Sequence, residues 1–177
     1  MKDANLSQAL KWLFIAEILT ILAIIPLVGT ILAIIGFVLN LVALSKASKI
    51  DEGYKTAFIL SIVGIVLSLI SSFAGTGVLG TIVSIISTAV SLGIIYYVVM
   101  TTVNRLHAIG ATDVADKGVT VWKLNLICTI VAVVLSVLML IPLLNVVAAL
   151  LAVVVAIVEL VGYVLYLIFL YKSYNVL

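Results

Sequence analysis

Two carboxyl groups carry the chemistry that this sequence offers. Glu159 is the only formal charge in the apolar run Asn145–Tyr171, and Glu17 stands in the first apolar run, Trp12–Ile25. A stretch of ~20 apolar residues is enough to cross a bilayer. Hydrocarbon does not hydrate a carboxylate, so each acid needs a partner, a water cavity or a proton. No Lys or Arg lies within the apolar runs to pair them. The economical state is then a protonated, hydrogen-bonded acid. Asn40, Asn125, Tyr163 and Thr20 are the candidate partners. The functional reading is a proton or cation site, or a contact to a basic residue of another subunit. The structural alternative is a neutral hydrogen bond. Glu159 has the stronger functional claim, being ~21 Å from Asn145 and ~18 Å from Tyr171 at helical rise. Glu17 is shallower, ~9 Å from Lys11.

Other motifs carry less. Gly75-Thr76-Gly77-Val78-Leu79-Gly80 matches GxGxxG literally. A dinucleotide site needs a strand before it, a helix after it and an acid ~20 residues on. Here an apolar helix precedes it and the distant position is Met100, so the glycines are read as a tight helix-to-helix turn. His107, Asp113 and Asp116 share one polar segment without a second His or any Cys. That reads as a solvated loop with a capping Asp rather than a metal site. Cys128 is a small core residue. The sequence holds no Ser/His/Asp set, HExxH or CxxC, so no enzyme, metal or cofactor is expected.

The elements that position these residues follow from composition. The chain is 66% hydrophobic and 9% charged, against ~25% charged in soluble domains. Its solvent must be lipid. The net charge of +2 is too small to suggest nucleic acid as a partner. The length allows one transmembrane domain over 1–177, an all-α bundle of six spans. They run about 10–25, 28–47, 57–74, 81–105, 121–141 and 145–171. Pro26 and Pro142 break helices; Asn5 or Ser7 caps the first one. Loops fall at Lys46–Lys55 and Ala108–Thr120, and a six-residue tail follows Tyr171. The start is read as a retained first helix, because a second span follows at once with no cleavage site. Ile25-Pro26-Leu27 and Ile141-Pro142-Leu143 read alike and suggest a degenerate hairpin repeat.

Six spans form three antiparallel hairpins and put all nine Lys and Arg on one side. They are Lys2, Lys11, Lys46, Lys49, Lys55, Arg105, Lys117, Lys123 and Lys172. The positive-inside rule then places both termini in the cytoplasm, in the cytoplasmic membrane of a prokaryote. Trp12, Trp122, Tyr54, Tyr96, Tyr97, Tyr163, Tyr166, Tyr171 and Tyr174 lie toward the same end and read as an interfacial belt.

Lipid removes the hydrophobic drive between helices, so small residues and hydrogen bonds must hold them. Helix 2 carries Gly29, Ala33, Gly36, Asn40, Ala43 and Ala47. Helix 3 carries Ala57, Ser61, Gly64, Ser68, Ser71 and Gly75. Helix 4 carries Gly80, Ser84, Ser87 and Ser91, and helix 5 Asn125, Thr129, Ala132 and Ser136. A 3-4 spacing keeps one stripe toward a neighbour, so helices 2, 3 and 4 are expected to pack tightly. Ala149, Ala152, Ala156, Glu159, Tyr163 and Tyr166 form the same kind of stripe, which points Glu159 into the bundle. The stretch LVGTILAIIGFVLNLVALSKASKIDEGYKTAFILSIVGIVLSLI joins two Gly-containing spans by a short Lys-rich loop. In this it resembles a widespread class of small uncharacterised multi-span membrane proteins of bacteria and archaea. The resemblance covers about a quarter of the chain, implies no activity and transfers no site residues.

The leading expectation is a non-enzymatic accessory, structural or assembly subunit in contact with membrane lipid. It would pack against other membrane proteins or a second copy of itself. The alternative is a small transporter or channel that uses Glu159. A substrate-capturing importer component ranks below that, because its outer loops would need to be longer. A membrane enzyme ranks last.

Overall fold

The computed structural model describes residues 3–23, 25, 28–74 and 77–177. The Pro26-Leu27 turn and the Gly75-Thr76 half of the glycine-rich turn lie outside them. The fold is six helices, with no strand among the described residues: α1 (Ala4–Leu22), α2 (Gly29–Ala47), α3 (Glu52–Ala74), α4 (Val78–Ala108), α5 (Thr112–Leu138) and α6 (Asn145–Val176). Each is long and apolar enough to cross a membrane, which makes the chain a multi-pass membrane protein.

Helices run further at the base-rich end than hydropathy alone suggests. Asp3, not Asn5 or Ser7, caps α1, its carboxylate accepting the Leu6 N–H at 3.2 Å. The polar segment 112–120 is the start of α5, and the expected tail is the last turn of α6. Polar residues continue a helix where its last turns stand in water, so apolarity marks the membrane and not the helix end. Gly110, at φ 77°, supplies the left-handed residue in the short link between α4 and α5. Pro142 sits in the turn before α6.

Consecutive helices pack on one another, and α6 returns against α1, so the six form a ring. α2 and α3 touch least of the neighbours. The expected tight 2-3-4 stack therefore holds only for α3 and α4, where Gly64 faces Val90 and Gly93 faces Leu60. The stripe of α2 is spent on α1 instead. A Cβ on Gly36 would lie 2.9 Å from the Ala16 carbonyl oxygen, so only glycine permits that approach. Gly29 is closed in by the Ala23 carbonyl at the start of the same helix.

The ring is packed at one end and open at the other. Leu6, Leu10, Leu44, Tyr54, Val99, Leu106, Phe169 and Leu170 are buried together at the base-rich end. Ala9, Ala43, Ala47, Ala57 and Ala115, all buried, let the backbones approach there. Toward the base-poor end, large apolar side chains are exposed on every helix. Phe73 is 89% and Leu143 is 90% exposed.

Three of the nine belt aromatics are interior. Tyr54 is buried and hydrogen-bonded to Thr102 at 2.7 Å. Tyr166 is buried, and Tyr163 reaches α1. Trp12, Trp122, Tyr96, Tyr97, Tyr171 and Tyr174 keep partly or fully exposed positions. Tyr96 stacks edge-on against Trp122, and Lys46 lies over the Trp12 ring at 5.7 Å.

Candidate functional site

Of the two acids, Glu17 is the one the bundle encloses. Gly36 brings α2 close to α1, which places Asn40 beside Glu17. The Asn40 amide donates to Glu17 Oε1 at 2.9 Å. From the other neighbour of α1, Tyr163 of α6 reaches Glu17 Oε2. The same hydroxyl stands 3.1 Å from the Glu17 main-chain carbonyl. Two of the four expected partners therefore meet this acid. Thr20 turns away to bond its own helix at Ala16 O, 3.0 Å. Asn125 donates to Val121 O at 3.0 Å and lines the same cavity without a bond to the carboxyl.

That cavity has a volume of ≈ 80 Å³ and draws walls from α1, α2, α4, α5 and α6. Its polar lining is Glu17, Asn40, Asn125, Tyr163 and Tyr166; Leu13, Ile94 and Val98 supply apolar wall. Tyr166 is 6% exposed. Among the described residues its hydroxyl makes no hydrogen bond to protein, so it opens onto the cavity. The space accommodates more than one water, and its polar rim supplies the partners that buried water requires.

Glu159 stands elsewhere. It shares the α6 stripe of Tyr163 and Tyr166, one turn on, but it is exposed. Of that stripe only Tyr166 is buried, while Ala149, Ala156 and Glu159 are exposed. The expected burial of Glu159 therefore does not occur, although Ala148, further toward the base-poor end of the same helix, is buried. Glu17 gains its enclosure because α1 is clasped by α2 on one side and α6 on the other.

The serine stripes turn inward on their own helices. Ser61, Ser68, Ser87 and Ser136 each donate to a carbonyl three or four residues back, at 2.8 to 2.9 Å. Ser68, Ser84 and Ser91 are exposed. Ser84 and Ser136 do meet Thr81 and Gly80 in an open groove of ≈ 370 Å³ between α4 and α5. Asp113 and Asp116 lie exposed in the first turns of α5, and no metal-ligating cluster occurs among the described residues. Gly77, at φ 119°, is the N-cap of α4, a helix-to-helix junction.

Several residues that hold the base-rich end together escape a one-dimensional reading. Arg105 donates to Asp51 Oδ2 through Nε at 3.1 Å and Nη2 at 2.9 Å, and to Ile50 O at 3.0 Å. The other Asp51 oxygen takes the Gly53 N–H at 3.0 Å. A Cβ on Gly53 would meet Thr101 Oγ1 at 1.9 Å, and one on Gly118 would meet the Phe169 ring at 2.6 Å. Their only signal in the sequence is a glycine in otherwise helical surroundings.

Comparison with protein-family models, with curated proteins and with solved structures finds no match for this chain.

Proposed function

We propose that this chain is a non-enzymatic assembly subunit of the membrane, whose open, base-poor half receives a partner's helix. The orientation in this reading puts the base-rich end and both termini in the cytoplasm of a prokaryotic cell, with the helices as three antiparallel hairpins. One observation carries the proposal: Glu159 is exposed in mid-span, among the exposed apolar side chains Ile157, Leu160 and Val161. An acid left to lipid costs roughly 2.5–3.5 kcal/mol on insertion scales. A polar or basic side chain from another helix removes that penalty. The pair is worth about 1–2 kcal/mol in a bilayer.

The test is a photo-crosslinker placed at Ile157 or Val161 in native membranes. The expected product is an adduct with a different membrane protein or a second copy of the chain. Glu159→Leu should weaken capture roughly 5–30-fold, the equivalent of 1–2 kcal/mol. Recovery of a lone monomer from both labelled variants rejects the proposal.

Transport is the second reading, favoured by the polar cavity one α6 turn from Glu159. Liposome flux decides it. Equal, background-level flux in the wild type, Glu17→Gln and Glu159→Gln removes it.

A further inference from the structure

Among the described residues, Glu17 faces no cation. The walls brought to it by α2, α4, α5 and α6 contain no Lys, Arg or His. The titratable groups around it are Tyr163 and Tyr166 on α6, then Glu159 one turn further along α6. Cys128 lies one turn from Asn125 on α5. None of these brings positive charge. A carboxylate there would sit in a largely apolar, partly buried compartment with no counter-charge among the described residues, which proteins avoid.

The hydrogen bonds accommodate a proton on this acid. The Tyr163 hydroxyl has one proton and two oxygen neighbours, the Glu17 carboxyl and the Glu17 main-chain carbonyl. If the carboxyl carries a proton, it donates to the tyrosine oxygen and the phenol donates to the main-chain carbonyl. Asn40 then supplies the remaining carboxyl oxygen, and every acceptor has a donor. Hard metal cations are poorly served, since they take six or more oxygen ligands. Both Glu17 oxygens are engaged, leaving the side-chain oxygens of Asn125 and Tyr166.

We propose that the cavity is a proton-binding site, with Glu17 as the group that holds the proton and Tyr163 and Asn40 as the residues that position it. Water between Asn125 and Tyr166 delivers the proton. An O–H bond forms on the carboxyl oxygen as one breaks in the hydrated proton, and release reverses this, with no electron transferred. Release also leaves a bare charge in the seam between α1 and α6, so it requires that seam to open to water. The site does not depend on whether the chain assembles with a partner or transports.

The experiment is infrared difference spectroscopy of the purified protein in lipid nanodiscs, in H₂O and D₂O. At neutral pH the wild type should show the carbonyl band of a protonated, hydrogen-bonded carboxylic acid that shifts on deuteration. Glu17→Gln should lose the band and Glu159→Gln should keep it. Tyr163→Phe and Asn40→Ala leave the carboxyl in place and should each move it, which covers the case in which Glu17→Gln does not fold. Absence of the band at neutral pH, a band indifferent to both positioning variants, or its disappearance on adding sodium overturns the proposal. Failure of partner capture with the band intact removes the assembly reading alone.

Discussion

Gly36 is the residue on which the Glu17 site stands. A side chain there would strike Ala16 O at 2.9 Å and Leu19 Cβ at 3.2 Å. Gly64 sits in a comparable place between α3 and α4, yet its nearest neighbour is Val90 Cγ1 at 3.9 Å. The same substitution should therefore have opposite outcomes. Gly36→Ala should cost about 1–3 kcal/mol through overpacking, whereas Gly64→Ala should be neutral or stabilising by a few tenths to about 1 kcal/mol. Thermal unfolding in mild detergent measures both. Tyr163→Phe removes a bond that joins the first helix to the last, and should cost roughly 0.6–2 kcal/mol. Reading either glycine from the sequence gives the same small-residue stripe. Only the identity of the neighbour, which spacing does not carry, separates a backbone from a flexible methyl.

At the scale of elements, the link between α2 and α3 is held by charge rather than by helix packing. Arg105 spans Asp51 and the Ile50 carbonyl, while Asp51 also caps the start of α3. Arg105→Ala should destabilise the protein by about 1 kcal/mol, since the pair is partly exposed. Lysine should restore little of that, because a single ammonium does not reproduce the fork that reaches two acceptors. Limited proteolysis between Lys46 and Lys55 should accelerate in both variants. The existence of the six helices was legible in the sequence, because apolar runs broken by Pro142 and by glycine leave few alternatives. Their ends were not. Residues 4–9, 112–120 and 172–176 are helical although polar, and Asp3 rather than Asn5 or Ser7 supplies the cap. The choice among three capping residues at alternate positions depends on local backbone geometry.

At the scale of the molecule, one end is packed and the other is open. Cysteine placed at Lys49 and at Leu79 tests the orientation, since both positions are exposed. The native Cys128 is buried and should stay silent. An impermeant thiol reagent on intact cells should label Leu79→Cys and spare Lys49→Cys; the reverse pattern overturns the proposed topology. The depth of each acid along its own helix was legible from the sequence, and both values pointed to Glu159. Lateral surroundings were not legible. Glu17 became the enclosed acid because Asn40 of α2 and Tyr163 of α6 close on it, whereas Glu159 stands among exposed neighbours, Ala156, Ile157, Val158 and Leu160.

The seam between α1 and α6 has a consequence for how the protein is made. Asn40 follows Glu17 by 23 positions, whereas Tyr163 follows it by 146. A ribosome that has delivered the first pair of helices has given Glu17 one of its two side-chain partners. The second arrives only when the last helix emerges. Throughout synthesis the nascent chain carries a half-satisfied acid inside the bilayer, and a truncated product carries it permanently. The helix α1 thus enters the membrane long before the contact from α6 that finishes its surroundings can form, and a chain cut short of α6 leaves Glu17 without the Tyr163 bond.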